Sequence, residues 1–483
     1  MTDIETTTRR ILPALILATL LTGCAAGPDF KHPAAPDVAV YTATPVAEES
    51  QRLVAGRRVN PQWWQELGSA GLNSLVDEAL QASPTLAAAE ATLRQAQELY
   101  GARSGSTLYP QVDANLGGRR QQTNPSALGQ TGDTREFSLY NVGVGVRYTL
   151  DLAGGNRRAL EALAARVDYQ RYQLAGARLT LAGNIVTTVI SRAGLATQIK
   201  VTEKILLSQE EQLGLTGERV RLGQAAPDEV LALETQVEQT RATIPLLRNQ
   251  LQQHEHLLAV LAGRPPGAGV LPSFPLEEFT LPADLPLVVP SELVRARPDI
   301  QAAEALLQAA NADYGVAIAR LYPQLNLSAD LGSQALTTGA LFGSGSAAWS
   351  LIGQLTQPLF NPGLPAEKRA ALAAFEAAAA NYQAVVLEAL RNVADVLVAL
   401  DNNAQRLAAL SAANRAAQNS LDSMQRRYAL GAAGYFELLL AQQQSQQTQI
   451  SLTEAQAQRL VDSAAFYLAM GGGGLNDRQA LSR

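Results

Sequence analysis

Residues that commonly carry enzyme chemistry are scarce in this chain. Its 483 residues include one cysteine, at position 24, and three histidines. His254 and His256 lie two residues apart, so in a helix they point in different directions and do not form the i, i+4 pair that binds a metal. The glycines at 471–474 precede no Lys–Ser/Thr pair, so they do not form a phosphate-binding loop. The sequence therefore predicts no catalytic residue, no metal site and no cofactor.

Charged and aromatic residues are also few, at 17 % and 5 % of the chain. The net charge is −6 and no run of five like charges occurs, which argues against a nucleic-acid surface or a charged tail. Alanine and glutamine are abundant instead, and both favour long helices.

The first 23 residues predict a secretory signal. Two arginines precede the apolar stretch 11–21, which is shorter than the roughly 20 residues of a membrane-spanning helix. Residues 21–24 then resemble a lipobox, so Cys24 is expected to receive a diacylglycerol and to become the first residue of the mature chain. The alternative is a chance cysteine behind an ordinary signal. Ala25 is consistent with delivery to the outer membrane.

Two halves of the chain resemble each other, which indicates a tandem duplication. Four segments recur at nearly constant separations of 208 to 214 residues, too long for a solenoid repeat. The recurring segments are 83–90 with 297–304, 108–111 with 321–324, 219–223 with 427–431, and 261–263 with 469–471.

Each half is predicted to run helix, strand, strand, long helix, helix. Gly223 ends the first long helix and Pro227 starts the next. The proline-rich segments 31–60 and 264–290 are interpreted as an irregular collar.

The predicted divisions are a signal peptide at 1–23, a lipid-anchored N-terminal segment and collar at 24–71, repeat 1 at 72–263, a collar linker at 264–291, repeat 2 at 292–471 and a tail at 472–483. Helices are predicted over 72–104, 156–222, 366–430 and 435–470, and strand regions over 108–152 and 321–360.

The helix after Pro227 carries a coiled-coil pattern over five heptads. Its a and d positions form one stripe, which is predicted to pack against a partner helix. Pro245 is expected to kink it locally. The stripe consists of Val230, Val237, Ile244, Leu251 and Leu258 at a positions, and Leu233, Thr240, Leu247, His254 and Leu261 at d positions.

The segment 137–150 alternates between two kinds of side chain. One face carries Tyr140, Val142, Val144, Val146 and Tyr148. The other face is mostly small or polar. A strand of an outer-membrane barrel needs this pattern, with apolar residues toward lipid and polar residues toward a lumen. A half-buried strand of a soluble sheet shows the same alternation. Gly143, on the polar face, is expected to tolerate serine.

Three further segments alternate similarly, at 111–116, 325–331 and 349–355, so four strands are recognisable. An open sheet edge is not stable in lipid, and the smallest bacterial barrels have eight strands. The strands must therefore be shared between chains. Two chains would supply eight strands and three would supply twelve, and the wider barrel better suits a conducting duct.

Six short motifs are distributed from the signal to the C-terminus. They are GCAAGPDF at 23–30, WW at 63–64, RPDI at 297–300, ANAD at 310–313, QPLF at 357–360 and RYALG at 427–431. Their order and spacing resemble those of the TolC-like outer-membrane factors, in the lipidated OprM/NodT-type branch of efflux channels, over essentially the whole chain.

The resemblance implies a mixed α/β membrane protein. Long coiled-coil helices would form a helical barrel, and four strands per chain would contribute to a shared trimeric 12-stranded β-barrel. The function implied is the passive exit duct of a tripartite efflux pump for drugs or small molecules, without enzyme activity. The partners implied are a homotrimer, a periplasmic adaptor, an inner-membrane transporter of the RND or MFS type and outer-membrane lipid, with no nucleic acid.

In this family, inward-bent helices near the helix–helix turns close the periplasmic end of the tunnel. The resemblance places its acidic positions on Glu229 and Glu437. The second turn has Leu440 where the family commonly has an aspartate, a departure from a double carboxylate ring. The alternative role of the two glutamates is to stabilise the helix dipole from the first turn. The further gate candidates are Asp228, Arg427 and Tyr428.

Other functions remain open from the residues alone. A lipid-anchored periplasmic coiled-coil scaffold or adaptor would need the helices but not the alternating strands. An outer-membrane duct for metal-ion export would be expected to show Met or His clusters, and the chain has three of each residue. A duct for type I protein export is the third alternative. The predicted location is the bacterial outer membrane, with a lipid anchor and an extension into the periplasm.

Overall fold

The computed structural model describes residues 25–43, 51–57, 59–125, 129, 131, 133–269 and 272–473. The predicted signal peptide, Cys24 and the tail from 474 onward lie outside the described residues. The regular elements are, in order, β1 (Arg52–Ala55), α1 (Ala70–Ala82), α2 (Pro84–Leu108), β2 (Gln111–Thr123), β3 (Arg135–Leu150), α3 (Gly155–Arg221), α4 (Pro227–Leu261), β4 (Asp284–Leu287), α5 (Pro290–Ala296), α6 (Pro298–Ala319), β5 (Gln324–Ala335), β6 (Ala347–Thr356), α7 (Gly363–Ala429) and α8 (Tyr435–Ala469).

The two longest helices of each repeat match in length. The long helices α3 and α7 have 67 residues each, and the helices that follow them, α4 and α8, have 35 each. The duplication inferred from short sequence matches therefore extends to the lengths of these four helices.

Each repeat begins with two helices where the sequence pattern predicts one. Ser83 separates α1 from α2 and Arg297 separates α5 from α6, both with extended backbone at ψ 120° and 124°. A proline follows each of them, and its ring disfavours the α conformation of the preceding residue. The prediction of one unbroken helix over 72–104 was therefore wrong.

One compact unit comprises, among the described residues, 25–32, 92–170 and 303–382. It contains an antiparallel sheet in the order β2–β3–β5–β6. The hairpins β2–β3 and β5–β6 come from different repeats and join through β3 and β5. β2 and β6 form the edges, and in the part of the chain that the structure describes neither edge has a further strand beside it.

The other unit comprises the described parts of 33–91, 171–302 and 383–473. Trp63 and Tyr467 are fully buried in its core and stack with ring centroids 5.3 Å apart. The collar, predicted to be irregular, contains a regular parallel pair of β1 with β4. Local sequence pattern does not reveal such a pair, because parallel strands are joined by long connections.

The coiled-coil stripe of α4 is confirmed. All ten of its a and d side chains are buried or half-buried, and α4 continues through Pro245. Ion pairs between α4 and α3 flank the stripe, since Arg241 reaches Glu210 at 2.6 Å and Arg248 reaches Glu203 at 2.7 Å.

Candidate channel-forming sheet and helix-turn cluster

All four strands of the antiparallel sheet contribute to one apolar face. In antiparallel pairs, residues directly opposite each other point to the same side. Val144 lies opposite Ala114 and Leu331, and Leu331 lies opposite Trp349. The five residues predicted to face lipid lie on this face, namely Tyr140, Val142, Val144, Val146 and Tyr148. The other strands add large exposed side chains, namely Val112, Leu116, Leu327, Leu331, Trp349, Leu351 and Leu355.

The apolar face has definite limits along the strands. On β3 it extends from Leu150 to Tyr140, a distance of ~33 Å at the usual rise per residue of a strand. Beyond Tyr140 the same face becomes charged, because Arg120 and Glu136 form an ion pair there at 2.8 Å. The apolar region is therefore a band bounded by charge on one side.

The opposite face of the sheet is polar. Arg147 lies 3.7 Å from Asp113, and Ser350 donates a hydrogen bond to Asp330 at 3.3 Å. Asp330 and Ser350 border a recess of about 260 Å³. A face with these side chains suits contact with water.

Gly143 does not have the free space that its place on the polar face predicts. It lies opposite Gly332, and a Cβ built on Gly143 would lie 2.8 Å from the Leu331 carbonyl oxygen and 3.1 Å from the Gly332 Cα. The obstruction is backbone, which cannot move aside as a flexible side chain does. The expectation that serine is tolerated at Gly143 was therefore wrong, because side-chain alternation does not report how closely two backbones approach.

One buried arginine holds the N-terminal segment to the unit that carries the sheet. The Arg158 side chain is 5 % exposed. Its guanidinium donates to the carbonyl oxygens of Ala26 at 3.2 Å and Gly27 at 3.3 Å, and to the Asp29 carboxylate at 2.7 Å. The backbone of residues 26–29 is therefore fixed beside the start of α3.

The helix–helix turns of the other unit share one backbone structure. Gly223 follows α3 and Gly431 follows α7, with φ of 72° and 71°. In each turn the glycine N–H bonds to the carbonyl three residues back, and the next N–H bonds to the carbonyl five residues back. This Schellman arrangement satisfies the last helical carbonyls and favours glycine at the left-handed position.

Tyr428, at the end of α7, connects α3 with α4. Its hydroxyl accepts a hydrogen bond from the Arg219 guanidinium at 2.6 Å and donates to the Glu229 carboxylate at 3.4 Å. Arg219 also lies over the Tyr428 ring, 5.0 Å from the centroid, which is a cation–π geometry. Burial raises the pKa of Tyr428 above its usual value, although the charge of Arg219 opposes the shift.

Tyr435 lies beside this group, with its ring centroid 6.1 Å from that of Tyr428. Burial, together with nearby Tyr428 and Glu229, raises the pKa of Tyr435 to about 12. Its hydroxyl is buried and has no hydrogen-bond partner among the described residues. Arg219, Tyr428, Glu229 and Tyr435 are called the turn cluster below.

The two candidate glutamates have different surroundings. The Glu437 carboxylate accepts a hydrogen bond from the Gly434 backbone N–H at 2.8 Å, which caps the start of α8. Glu229 makes the same kind of contact with the Ala226 N–H at 3.4 Å, but its other oxygen meets Tyr428. The dipole-stabilising role therefore describes Glu437, whereas Glu229 also joins two helices.

The two remaining gate candidates, Arg427 and Asp228, are not part of the turn cluster. Arg427 donates to the Ala432 carbonyl oxygen at 3.3 Å, and Asp228 is exposed in the first turn of α4. Arg219 and Tyr435 were not predicted as site residues. Arg219 could have been predicted from the duplication, because its equivalent in repeat 2 is the candidate Arg427. Nothing in the local sequence indicated Tyr435.

Comparison with known proteins agrees with this architecture. The family model described as outer membrane efflux protein matches residues 75–264 and 289–472. The chain is 32 % identical over 427 residues to the pyoverdine export outer membrane protein OpmQ of Pseudomonas aeruginosa, covering 87 % of this chain and 89 % of that protein. It is 29 % identical over 469 residues to the outer membrane protein OprJ of the same species, covering 95 % of each. The solved structure of the outer-membrane channel OprN is similar with a TM-score of 0.86 and 28 % identity, covering 93 % of this chain and 99 % of that chain.

Proposed function

The chain belongs to the outer membrane efflux protein family, and from this premise we propose that three copies of it assemble into one passive duct. The chain is the outer-membrane channel component of a tripartite efflux pump. In the proposed assembly, each copy contributes four strands to a twelve-stranded barrel in the membrane and its long helices to a tunnel in the periplasm.

The observation that carries this proposal is a sheet with one exposed apolar face and two open edges. In lipid no water is available to the backbone groups of an edge, so closed barrels are the stable arrangement of strands. Four strands are too few, since the smallest bacterial barrels have eight. Strands β2 and β6 of different copies would provide the missing neighbours.

The dimensions of the apolar band support a membrane location. A stretch of ~33 Å along strands tilted by roughly 40° covers a height of about 25 Å, which matches the apolar band of outer-membrane barrels. Tyr140 would lie at one interface, and the Arg120–Glu136 pair would lie beyond it. The apolar face would meet lipid and the polar face would line the lumen.

Cys24 is proposed as the lipid attachment site. The backbone that follows it is held by Arg158 in the unit that carries the sheet. The acyl chains would therefore enter the membrane near the barrel to which they belong. Several acyl chains give firm anchoring where one gives marginal binding.

The periplasmic end of the duct is proposed to lie at the two helix–helix turns. Three copies of Glu229 and of Glu437 would surround the opening, and the bonds of Tyr428 would keep the turns in place. A periplasmic adaptor and an inner-membrane transporter of the RND or MFS type would deliver drugs or small molecules to this end. A scaffold anchored by lipid alone would not need the exposed apolar face of the sheet.

Outer membranes from cells that express the full chain test this function. The protein should resist sarkosyl extraction, migrate as a trimer on unboiled gels, and conduct ions in planar bilayers. The same preparation after boiling is the control, because it should migrate as a monomer and conduct nothing. A sarkosyl-soluble monomer without conductance would contradict the proposal.

A further inference from the structure

The duplication relates the strands of the two hairpins position by position. β2 and β5 each begin at the glutamine of a Leu-Tyr-Pro-Gln segment, so Gln111 is equivalent to Gln324. Gln111 lies opposite Arg147 in the first hairpin, and Gln324 lies opposite Thr356 in the second. Arg147 of β3 and Thr356 of β6 are therefore equivalent positions.

The contact between β3 and β5 joins the second strand of one repeat to the first strand of the other. Pairing of β6 with β2 of another copy would again join a second strand to a first strand. The β3–β5 pair is thus an internal template for the junction between copies. In that template Val146 lies opposite Ala329, and the equivalents of these two residues are Leu355 and Leu116.

We propose that β6 pairs with β2 of a neighbouring copy in the register of the β3–β5 pair, which sets Leu355 opposite Leu116 of that copy. The inference rests on the proposed function, since only a shared barrel brings these edges together. The same register aligns residues 348–356 with residues 115–123, so that nearly all of β6 gains a partner within β2.

The exposed side chains fit this register. Leu355 and Leu116 both belong to the apolar face, and they are 63 % and 80 % exposed in the single chain. A slip of one residue would turn the apolar side chains of one copy to the polar side of the next. A slip of two residues keeps the faces aligned and would set Leu355 opposite Ala114 or Gly118.

Cysteine pairs separate these registers. Cys24 is the only natural cysteine, so two introduced thiols are easily followed. Directly opposed residues have Cα atoms about 4.5–5.5 Å apart, within the range of a disulfide, whereas residues displaced by two are roughly 7–8 Å apart. Outer membranes that contain Leu355→Cys with Leu116→Cys should form reducible covalent dimers and trimers on oxidation. The yield should be at least about tenfold above that of Leu355→Cys with Ala114→Cys or with Gly118→Cys.

The pair Val146→Cys with Ala329→Cys is the matched control, because these residues are opposite within one chain. It should lose both thiols on oxidation without forming oligomers. If Leu355→Cys crosslinks more strongly with Ala114→Cys or with Gly118→Cys than with Leu116→Cys, the proposed register is wrong. The proposal of a shared barrel would still hold. A trimer that crosslinks at none of the three pairs would also overturn it. A monomer by mass in detergent, with an oxidised control pair, would instead refute the proposed function.

Discussion

Arg219 and Tyr428 belong to different repeats, yet an Arg219 guanidinium nitrogen lies 2.6 Å from the Tyr428 hydroxyl oxygen and the guanidinium lies over the phenol ring. Tyr428 in turn donates to Glu229. One phenol therefore connects α3, α4 and α7 at the turns that are proposed to close the duct.

Tyr428→Phe removes the hydroxyl and keeps the ring. Hydrogen bonds to charged groups contribute about 1.5–3 kcal/mol, so the turns should loosen and the mean single-channel conductance in planar bilayers should rise above the wild-type value. Arg221→Gln is the matched control, because Arg221 pairs with Glu218 of its own helix at 2.7 Å. A Tyr428→Phe channel that conducts as the wild type does would exclude this bond from closure.

Glu229→Gln should raise the conductance more than Glu437→Gln does. The Glu229 carboxylate contacts a second helix through Tyr428, whereas the Glu437 carboxylate caps its own helix at the Gly434 N–H. The glutamine of Glu437→Gln can still accept the Gly434 N–H, so this variant should lose only the interaction of the charge with the helix dipole, about 0.3–1 kcal/mol, without breaking a bond between helices. Single-channel recordings of both variants on one day and in one lipid mixture decide the order. Equal conductance would contradict the distinction between the two glutamates.

Tyr435 should make the turn region sensitive to alkali. Its pKa is about 12 in the folded chain and about 10 in an unfolded chain. The unfolded chain therefore releases the proton first as the pH rises. The contribution of the neutral phenol to stability is complete below pH 10 and is lost between about pH 10 and 12.

Tyr435→Phe removes this loss. The thermal unfolding midpoint of the variant, followed by helical circular dichroism in detergent, should exceed that of the wild type by an amount that grows from pH 9 to 12. Tyr100→Phe, at an exposed position of α2, is the control. A difference between Tyr435→Phe and the wild type that does not change with pH would contradict the prediction.

Val144→Arg should destabilise the barrel. Val144 lies near the middle of the apolar band, and an arginine at the bilayer midplane costs about 2–4 kcal/mol per chain. Asn141→Arg is the matched control on the same strand, because Asn141 belongs to the polar face. Trimer content on unboiled gels and urea unfolding in vesicles measure the effect. Equal tolerance of both arginines would show that the lipid-facing side is assigned wrongly.

Cys24→Ala should abolish labelling by radioactive palmitate, because the Cys24 sulfur is the proposed attachment point of the diacylglycerol. The trimer should still be found in the outer membrane, since the barrel is a second attachment. The unsubstituted chain, labelled in parallel, is the positive control. Labelling that persists in Cys24→Ala would place the lipid elsewhere or exclude it.

Periodic features of this protein were readable from the sequence because they are local. The alternation along β3 indicates which side chains share a face, and the heptads of α4 indicate which side chains meet a partner helix. Neither pattern requires that the partner itself be known. Gly223 and Gly431 marked the ends of the long helices for the same reason, since a left-handed turn favours glycine wherever it occurs. The breaks before Pro84 and Pro298 were equally local, and the prediction of one helix there overlooked a signal that was present.

Only the tertiary structure decided which distant groups meet. Gly143 and Gly332 face each other across two backbones that no side-chain pattern locates. β1 and β4 pair in parallel from segments that share no local signature. Tyr428 reaches both Arg219 and Glu229 because α3 and α7 end, and α4 begins, at neighbouring turns. Periodicity specifies the face of a helix or strand that is covered, but the covering partner depends on the long-range packing of the whole chain.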